Sequence, residues 1–233
     1  MSRREYYTDY PRTILWLIPG GEVTVGGEEA DAQPAFSARV EPFYLGKFPI
    51  TNEQFEAFDP GFERSPTSPG DTDPATGVSW QDAAEYCAWY AEVSRKPMRL
   101  PTEVEWEHAC RGGTDEGAGG RWFWGDDAAA GGDFAWDAES AAGRDTVPKL
   151  DDKKANGFGL FGMLGGVWEW TGSVYRPYPL DVETEETDGE RYVLRGGSFR
   201  TPRAEATCSR RRAEAADERF ADAGFRIARP LRV

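Results

Sequence analysis

The chain is poor in histidine, cysteine and lysine, and its N-terminus carries no long apolar run. Its single histidine, His108, falls inside a predicted helix, where a lone histidine is ordinarily a packing or hydrogen-bonding residue. Three cysteines (Cys87, Cys110 and Cys208) are too few, and odd in number, for a disulfide framework. The apolar run from Ile14 to Pro19 spans only six residues. That excludes a signal peptide or membrane span there and sets the expectation of a cytoplasmic protein without a membrane partner. Only five of the 27 basic residues are lysine. This bias reads equally as genomic composition or as arginine-specific chemistry. Bases are also outnumbered: 41 acids give a net charge of −14, which argues against a nucleic-acid partner.

What the chain does have is aromatic surface and loop. Hydrophobic residues make up 39%, a low share, but nine Trp, thirteen Phe and nine Tyr can close a core that has few aliphatics. With 27 glycines and 16 prolines among 233 residues, long ordered loops are expected rather than a helical bundle. No repeat or linker is visible, so residues 1–233 read as a single domain.

Leu15 to Val25 reads as two strands around a Pro-Gly-Gly turn, and Arg39 to Ile50 as a further extended stretch. Thr51-Asn-Glu-Gln54 and Thr102-Glu-Val-Glu105 are capping boxes that open helices to about Phe58 and Arg111. Gly112-Gly113 stops the second of these. The clearest helix opens at Ser79 and runs to about Ser94, with Trp80, Ala83, Ala84, Cys87 and Ala91 on one stripe. Gly112 to Lys154 is the least regular part, and Asp181 to Glu190 is an acidic loop. Tyr192 to Phe199 reads as a strand with a Gly-Gly break, residues 200–222 as irregular or partly helical around Arg212 to Phe220, and Ala223 to Leu231 as a terminal strand.

The stretch from Asn156 to Thr171 gathers five glycines, two phenylalanines and two tryptophans around one carboxylate, Glu169. In extended chain Trp168 and Trp170 share a face and Glu169 takes the other. Glu169 reads as a buried scaffold acid, hydrogen-bonded to loop amides or paired with an arginine such as Arg195 or Arg226. From Arg195 to Val233 ten arginines meet five acids, so the tail is net basic. Arginine at that density suits carboxylates, phosphates or an acidic protein surface. The bland account is internal pairing of Arg210, Arg211 and Arg212 with Glu205, Glu214 and Glu218, or with the acidic remainder of the chain.

In order, Arg99-Leu-Pro-Thr-Glu-Val-Glu-Trp-Glu107, Trp124-Gly-Asp, Asn156-Gly-Phe-Gly-Leu, Gly-Val-Trp-Glu-Trp-Thr171, Leu194-Arg-Gly-Gly-Ser-Phe199 and Gly224-Phe-Arg226 resemble the formylglycine-generating enzyme (sulfatase-modifying factor) family. The resemblance covers roughly residues 15–231. It implies an α+β fold of the C-type-lectin-like kind, with two main helices, a small twisted antiparallel sheet and long ordered loops. The family's founding activity oxidises a sulfatase cysteine, using a cysteine pair that binds copper(I), to which soft thiolates are suited. The resemblance places that pair at Thr201 and Ala206, so copper is not expected. Relatives with a three-histidine iron site are excluded by the single His108. The family's calcium loops carry oxygen donors where this chain has Gly162 and Gly166, which weakens a calcium site. Asp126, Asp127, Asp133 and Asp137 are the remaining candidates for a different one.

The expected function is therefore a non-catalytic module that binds a protein or small anionic ligand through the loop face at about 199–222. Its candidate contacts are Phe199, Arg200, Thr201, Arg203, Ser209, Arg210 and Arg212. Trp168, Glu169, Trp170, Arg195 and Arg226 would form the structural core beneath. One subclass of the fold is the variable protein of diversity-generating retroelements, and those contact positions lie where mutagenised ones would. Glu205, Glu214 and Glu218 would then be fixed, because adenine mutagenesis of Asn codons cannot produce Glu. A recruiting domain of a bacterial defence operon is a related reading. The alternatives are a sulfatase-modifying-type oxidoreductase with Cys208 as a lone thiolate beside Arg210, and an accessory subunit acting through the acidic 181–190 loop.

Overall fold

Helix starts in this chain are set locally. In a computed structural model that describes residues 5–7, 11–113, 120–180 and 190–231, all three α-helices begin with a complete capping box. Thr51 caps α1 (Asn52–Glu56), Ser79 caps α2 (Trp80–Ser94) and Thr102 caps α3 (Glu103–Arg111). In each, the cap side chain accepts from the third helical amide, and that third residue's side chain accepts from the cap amide. Gly112, at φ 73°, ends α3 in the left-handed conformation that glycine adopts without cost.

Among the described residues the strands form three small sheets. β1 (Glu5–Tyr7), β2 (Ile14–Ile18), β5 (Phe43–Gly46) and β10 (Ala228–Pro230) make one, in the order β1-β2-β5-β10. β3 (Gly21–Val25) and β4 (Phe36–Val40) pair alone. The two strands expected around Pro19 therefore exist but enter different sheets and do not form a hairpin. The third sheet is β8 (Arg211–Ala215), β7 (Arg191–Arg195), β6 (Trp168–Val174) and β9 (Ala223–Phe225) in that order, antiparallel save for the β6–β9 pair. The sequence reading of a partial helix near Arg212 fails here. Arg-Arg-Ala-Glu-Ala has good helix propensity, but pairing along β7 from Arg191↔Ala215 to Arg195↔Arg211 overrides it.

The third sheet is covered on both faces. Trp168, Trp170, Leu194 and Phe225 pack with Ala83, Tyr86, Cys87 and Tyr90 of α2 in one apolar cluster. The opposite face meets α3, and its chemistry is polar. Glu169 on β6, Arg195 on β7 and Arg211 on β8 are neighbours in register across the strands. Above them lie Glu103, Trp106 and Glu107 of α3, spaced i, i+3 and i+4 and therefore on one side of the helix. All six are buried. No helix among the described residues is long and apolar enough to cross a membrane.

Candidate functional site

The layer between α3 and the sheet holds three buried glutamates, each matched to arginine. Glu103 takes Arg211 bidentately, with Nε–Oε2 at 2.9 Å and Nη2–Oε1 at 3.0 Å, and accepts from the Tyr178 hydroxyl at 3.1 Å. Glu107 accepts from Arg195 Nη2, from Arg111 Nη2 at 2.6 Å and from the Gly26 amide at 2.9 Å. Glu169 takes Arg226 through Nε and Nη2, both at 2.7 Å, and the Trp106 indole N–H at 2.7 Å. Of the two partners expected for Glu169, the structure selects Arg226. Arg195 lies opposite Glu169 in the ladder, but its guanidinium reaches Glu107 and sits 5.6 Å over the Trp106 ring. Every carboxylate here is paired and hydrogen-bonded, the condition for keeping charge in an interior. These residues hold the loops up and leave no carboxylate of this layer free for acid–base work.

The expected loop-face contacts divide by burial. Phe199, Thr201 and Ser209 are buried, which corrects their place among the seven expected ligand contacts. Phe199 packs with Ala141, Val147, Leu150 and Val167, the Thr201 hydroxyl accepts from the Ser198 amide, and the Ser209 hydroxyl donates to Glu29 at 2.7 Å. Arg200 is exposed and lies 5.0 Å from the Phe199 ring centre. Arg210 reaches Glu205 through one long 3.4 Å contact, whereas Arg212 binds Glu214 at 2.7 Å and stacks 3.9 Å over Phe220. Arg210 and Arg212 thus find the internal partners that the bland account named, and Arg211 finds Glu103.

Arg203 anchors the loop. Its Nε and Nη2 bind Asp137 at 2.6 and 3.0 Å, and Nη1 binds the Ala128 carbonyl at 2.9 Å. Burial pushes the Asp137 carboxyl up, but hydrogen bonds from Arg203 and Ser140 outweigh it and leave it below the ordinary carboxylate value. A depressed folded-state value stabilises the fold above the unfolded value of about 4, and the contribution disappears as pH falls through the folded one. Arg203→Ala is therefore expected to cost about 2 kcal/mol at neutral pH. Urea titrations repeated at falling pH should show the gap to wild type closing in acid; a pH-independent gap would refute the pairing.

The altered calcium positions are filled by hydrocarbon. A Cβ on Gly162 or Gly166 would lie 2.8 or 2.6 Å from the Leu150 methyls. Both Glu169 oxygens are taken by Arg226 and Trp106. The residues present do not fit a calcium ion, which needs six to eight oxygen donors. The four loop aspartates do not converge either. Asp126 accepts from the Arg121 amide, Asp127 caps the turn at Ala129, Asp133 binds Lys154 and Asp137 binds Arg203. Among the described residues no group of three or more His, Cys, Asp or Glu is placed to hold a metal ion. His108 hydrogen-bonds the Pro19 carbonyl at 2.8 Å. Cys208 is not a lone thiolate: it is wholly buried and its sulfur lies 3.2 Å from that of Cys110. The signal for that contact, two cysteines 98 residues apart, is not readable from local spacing.

A cavity of about 400 Å³, unforeseen from the sequence, opens beside the Phe199 cluster, with which it shares Phe48 and Leu150. Pro49, Pro74 and Pro148 add to its apolar wall, and Glu53, Asp73 and Lys149 bring charge to it. It forms where the capped start of α1 meets the 148–151 turn, a meeting of segments far apart in sequence. The 181–190 loop lies outside the described residues except for Glu190.

The family model of the sulfatase-modifying factor enzyme 1-like domain matches residues 4–231. The chain belongs to this family. It is 28% identical to the formylglycine-generating enzyme of Thermomonospora curvata, over 91% of each chain. It is also 28% identical to the inactive C-alpha-formylglycine-generating enzyme 2 of Mus musculus, over 78% of this chain and 73% of that one. Among solved structures, the Treponema denticola variable protein 1 superimposes with a TM-score of 0.82 at 19% identity, covering 97% of this chain and 98% of that one. PvdO from Pseudomonas aeruginosa gives a TM-score of 0.82 at 21% identity with the same coverage. The α+β, C-type-lectin-like architecture expected from the motifs is thus that of the family. At these identities the structural matches speak for the fold alone.

Proposed function

We propose that this family member is a non-catalytic binding module that takes a protein or small anionic ligand on the face of its C-terminal loop. The observation that carries this reading is the placement of thiols. The resemblance puts the family's cysteine pair at Thr201 and Ala206, both buried, and all three cysteines the chain does have are buried too. Oxidising a cysteine in another protein needs a reachable thiolate, and the described surface offers none. To solvent the loop offers the cations Arg200, and Arg210 behind one long ion pair, set among the exposed acids Glu205, Asp217 and Glu218. An inactive enzyme among the relatives supports the idea that the scaffold persists without the reaction.

Two measurements test it. Incubation with copper(I) and a cysteine-containing sulfatase peptide should give no aldehyde; aldehyde formation lost in Cys208→Ser would overturn the reading in favour of an oxidoreductase. A fluorescent acidic peptide should bind, and Arg200→Glu with Arg210→Glu should weaken it about tenfold or more. Unchanged affinity would move the site off this face. Within this reading, a template repeat in the neighbouring DNA would mark the loop as a diversified surface, and a neighbouring defence nuclease would mark it as a recruiting one.

A further inference from the structure

The cavity of about 400 Å³ is separate from the loop face at 199–222, because its described lining residues all lie between Arg12 and Asp151. Phe48, Pro74 and Pro148 wall it, and each wall is held from behind or beside. The Phe48 ring stacks on Phe161, with centroids 5.0 Å apart and planes 11° from parallel. Around Pro74 the chain is bound to the segment that opens α1. The Asn52 amide donates to the Asp73 carbonyl at 2.9 Å, and the Ala75 amide to the Ile50 carbonyl at 2.8 Å. Beside Pro148, the Val147 amide donates to the Thr67 carbonyl at 2.7 Å. Proline also fixes its own backbone φ, so these walls have little freedom to fold inward. The cavity is therefore formed before anything enters it, and its volume falls in the range that holds a small molecule, about 300–1,000 Å³.

The charges around it are of both signs. Three acids (Glu53, Asp73 and Asp151) and two bases (Arg12 and Lys149) line the cavity. Asp73 already accepts from the Gly70 amide at 2.7 Å. Glu53, in the first turn of α1, and Lys149, on the 148–151 turn, are both exposed. Among the described residues neither of these two side chains has a hydrogen-bond or ion-pair partner, and they do not pair with each other. An anion entering here would meet three carboxylates, and a cation two bases. A molecule that carries one charge of each sign on an apolar body meets neither objection. We infer that the cavity binds a free amino acid with an apolar side chain, its ammonium at Glu53, its carboxylate at Lys149 and its side chain against Phe48 and the prolines. Ion pairs at this exposure add little each, so the apolar contact supplies most of the affinity and the charges select among ligands of the same body.

The test is equilibrium dialysis of the intact chain against radiolabelled L-phenylalanine, which should bind saturably at one molecule per chain. In competition, phenethylamine, which lacks the carboxylate, and phenylpropionate, which lacks the ammonium, should each bind about fivefold or more weakly. Lys149→Met should weaken phenylalanine by a similar factor and leave phenethylamine no weaker. Glu53→Gln should weaken phenylalanine and leave phenylpropionate no weaker. Both side chains are exposed, so both variants should keep the wild-type circular dichroism spectrum. Absence of saturable uptake, an analogue that binds as tightly as phenylalanine, or variants that bind phenylalanine as wild type does would each overturn the inference. Arg200→Glu with Arg210→Glu should leave phenylalanine binding unchanged, so the two sites succeed or fail separately.

Discussion

Glu107→Ala is expected to destabilise the fold by about 3–5 kcal/mol, the scale for breaking a buried ion pair from one side. The glutamate pairs with Arg195 and Arg111, and its side chain lies wholly in the interior. Removing it strips the wholly buried Arg195 guanidinium of that carboxylate, and takes an acceptor from Arg111 and from the Gly26 amide. The penalty is desolvation of the stranded charge and not the worth of the pair. Two controls separate these. Replacing Glu107 and Arg195 together by apolar residues of similar volume should recover much of the loss, because the Arg195 charge is then gone as well. Breaking the exposed Arg39–Glu22 contact, at 3.5 Å, should change stability by no more than about 0.5 kcal/mol. Urea unfolding of these variants beside wild type reads all of this, and a Glu107→Ala loss no larger than that of Glu22→Ala would refute the account.

What was legible in the sequence is what is decided locally. The boxes at Thr51 and Thr102 are satisfied within four residues, and both helices begin where those residues say. The alternation at Trp168-Glu169-Trp170 places the carboxylate on the face away from the α2 cluster, as extended geometry requires. Partner choice was not legible. Arg195 and Arg226 are both within reach of Glu169 on sequence grounds, and the decision is made by α3, whose Trp106 donates to Glu169 and lies under the Arg195 guanidinium while Glu107 takes that guanidinium instead. For the candidate site the same holds more strongly. Burial of Phe199, Thr201 and Ser209 goes with contacts to Leu150, Ser198 and Glu29, of which only Ser198 is near in sequence. The strand at Arg211–Ala215 was missed because Arg211 is pinned by Glu103, 108 residues away, against its local helical preference.

The glycines of the Asn156–Thr171 stretch give the last test, since a left-handed backbone and a close approach are separable costs. Gly165 has φ +71°, and a Cβ there would lie 2.0 Å from the Trp136 carbonyl oxygen and 2.5 Å from its carbon. Those are backbone atoms, held by the Trp136–Gly165 bridge and by the Gly166 amide, which donates to the Trp136 carbonyl at 2.7 Å. They cannot rotate away as a side chain could. Gly77 has nearly the same φ, +76°, but nothing within 4 Å of its would-be Cβ. Gly77→Ala should therefore show the conformational cost alone, about 1–2 kcal/mol. Gly165→Ala should add the clash and the loss of the bridge, about 4 kcal/mol or more in total. Because Trp136 packs against the cluster that holds Phe199, the same substitution should also loosen the loop face and weaken acidic-peptide binding, which Gly77→Ala should leave unchanged. Equal losses in the two variants would mean that backbone conformation, and not the close approach at Trp136, is what the glycine at position 165 provides.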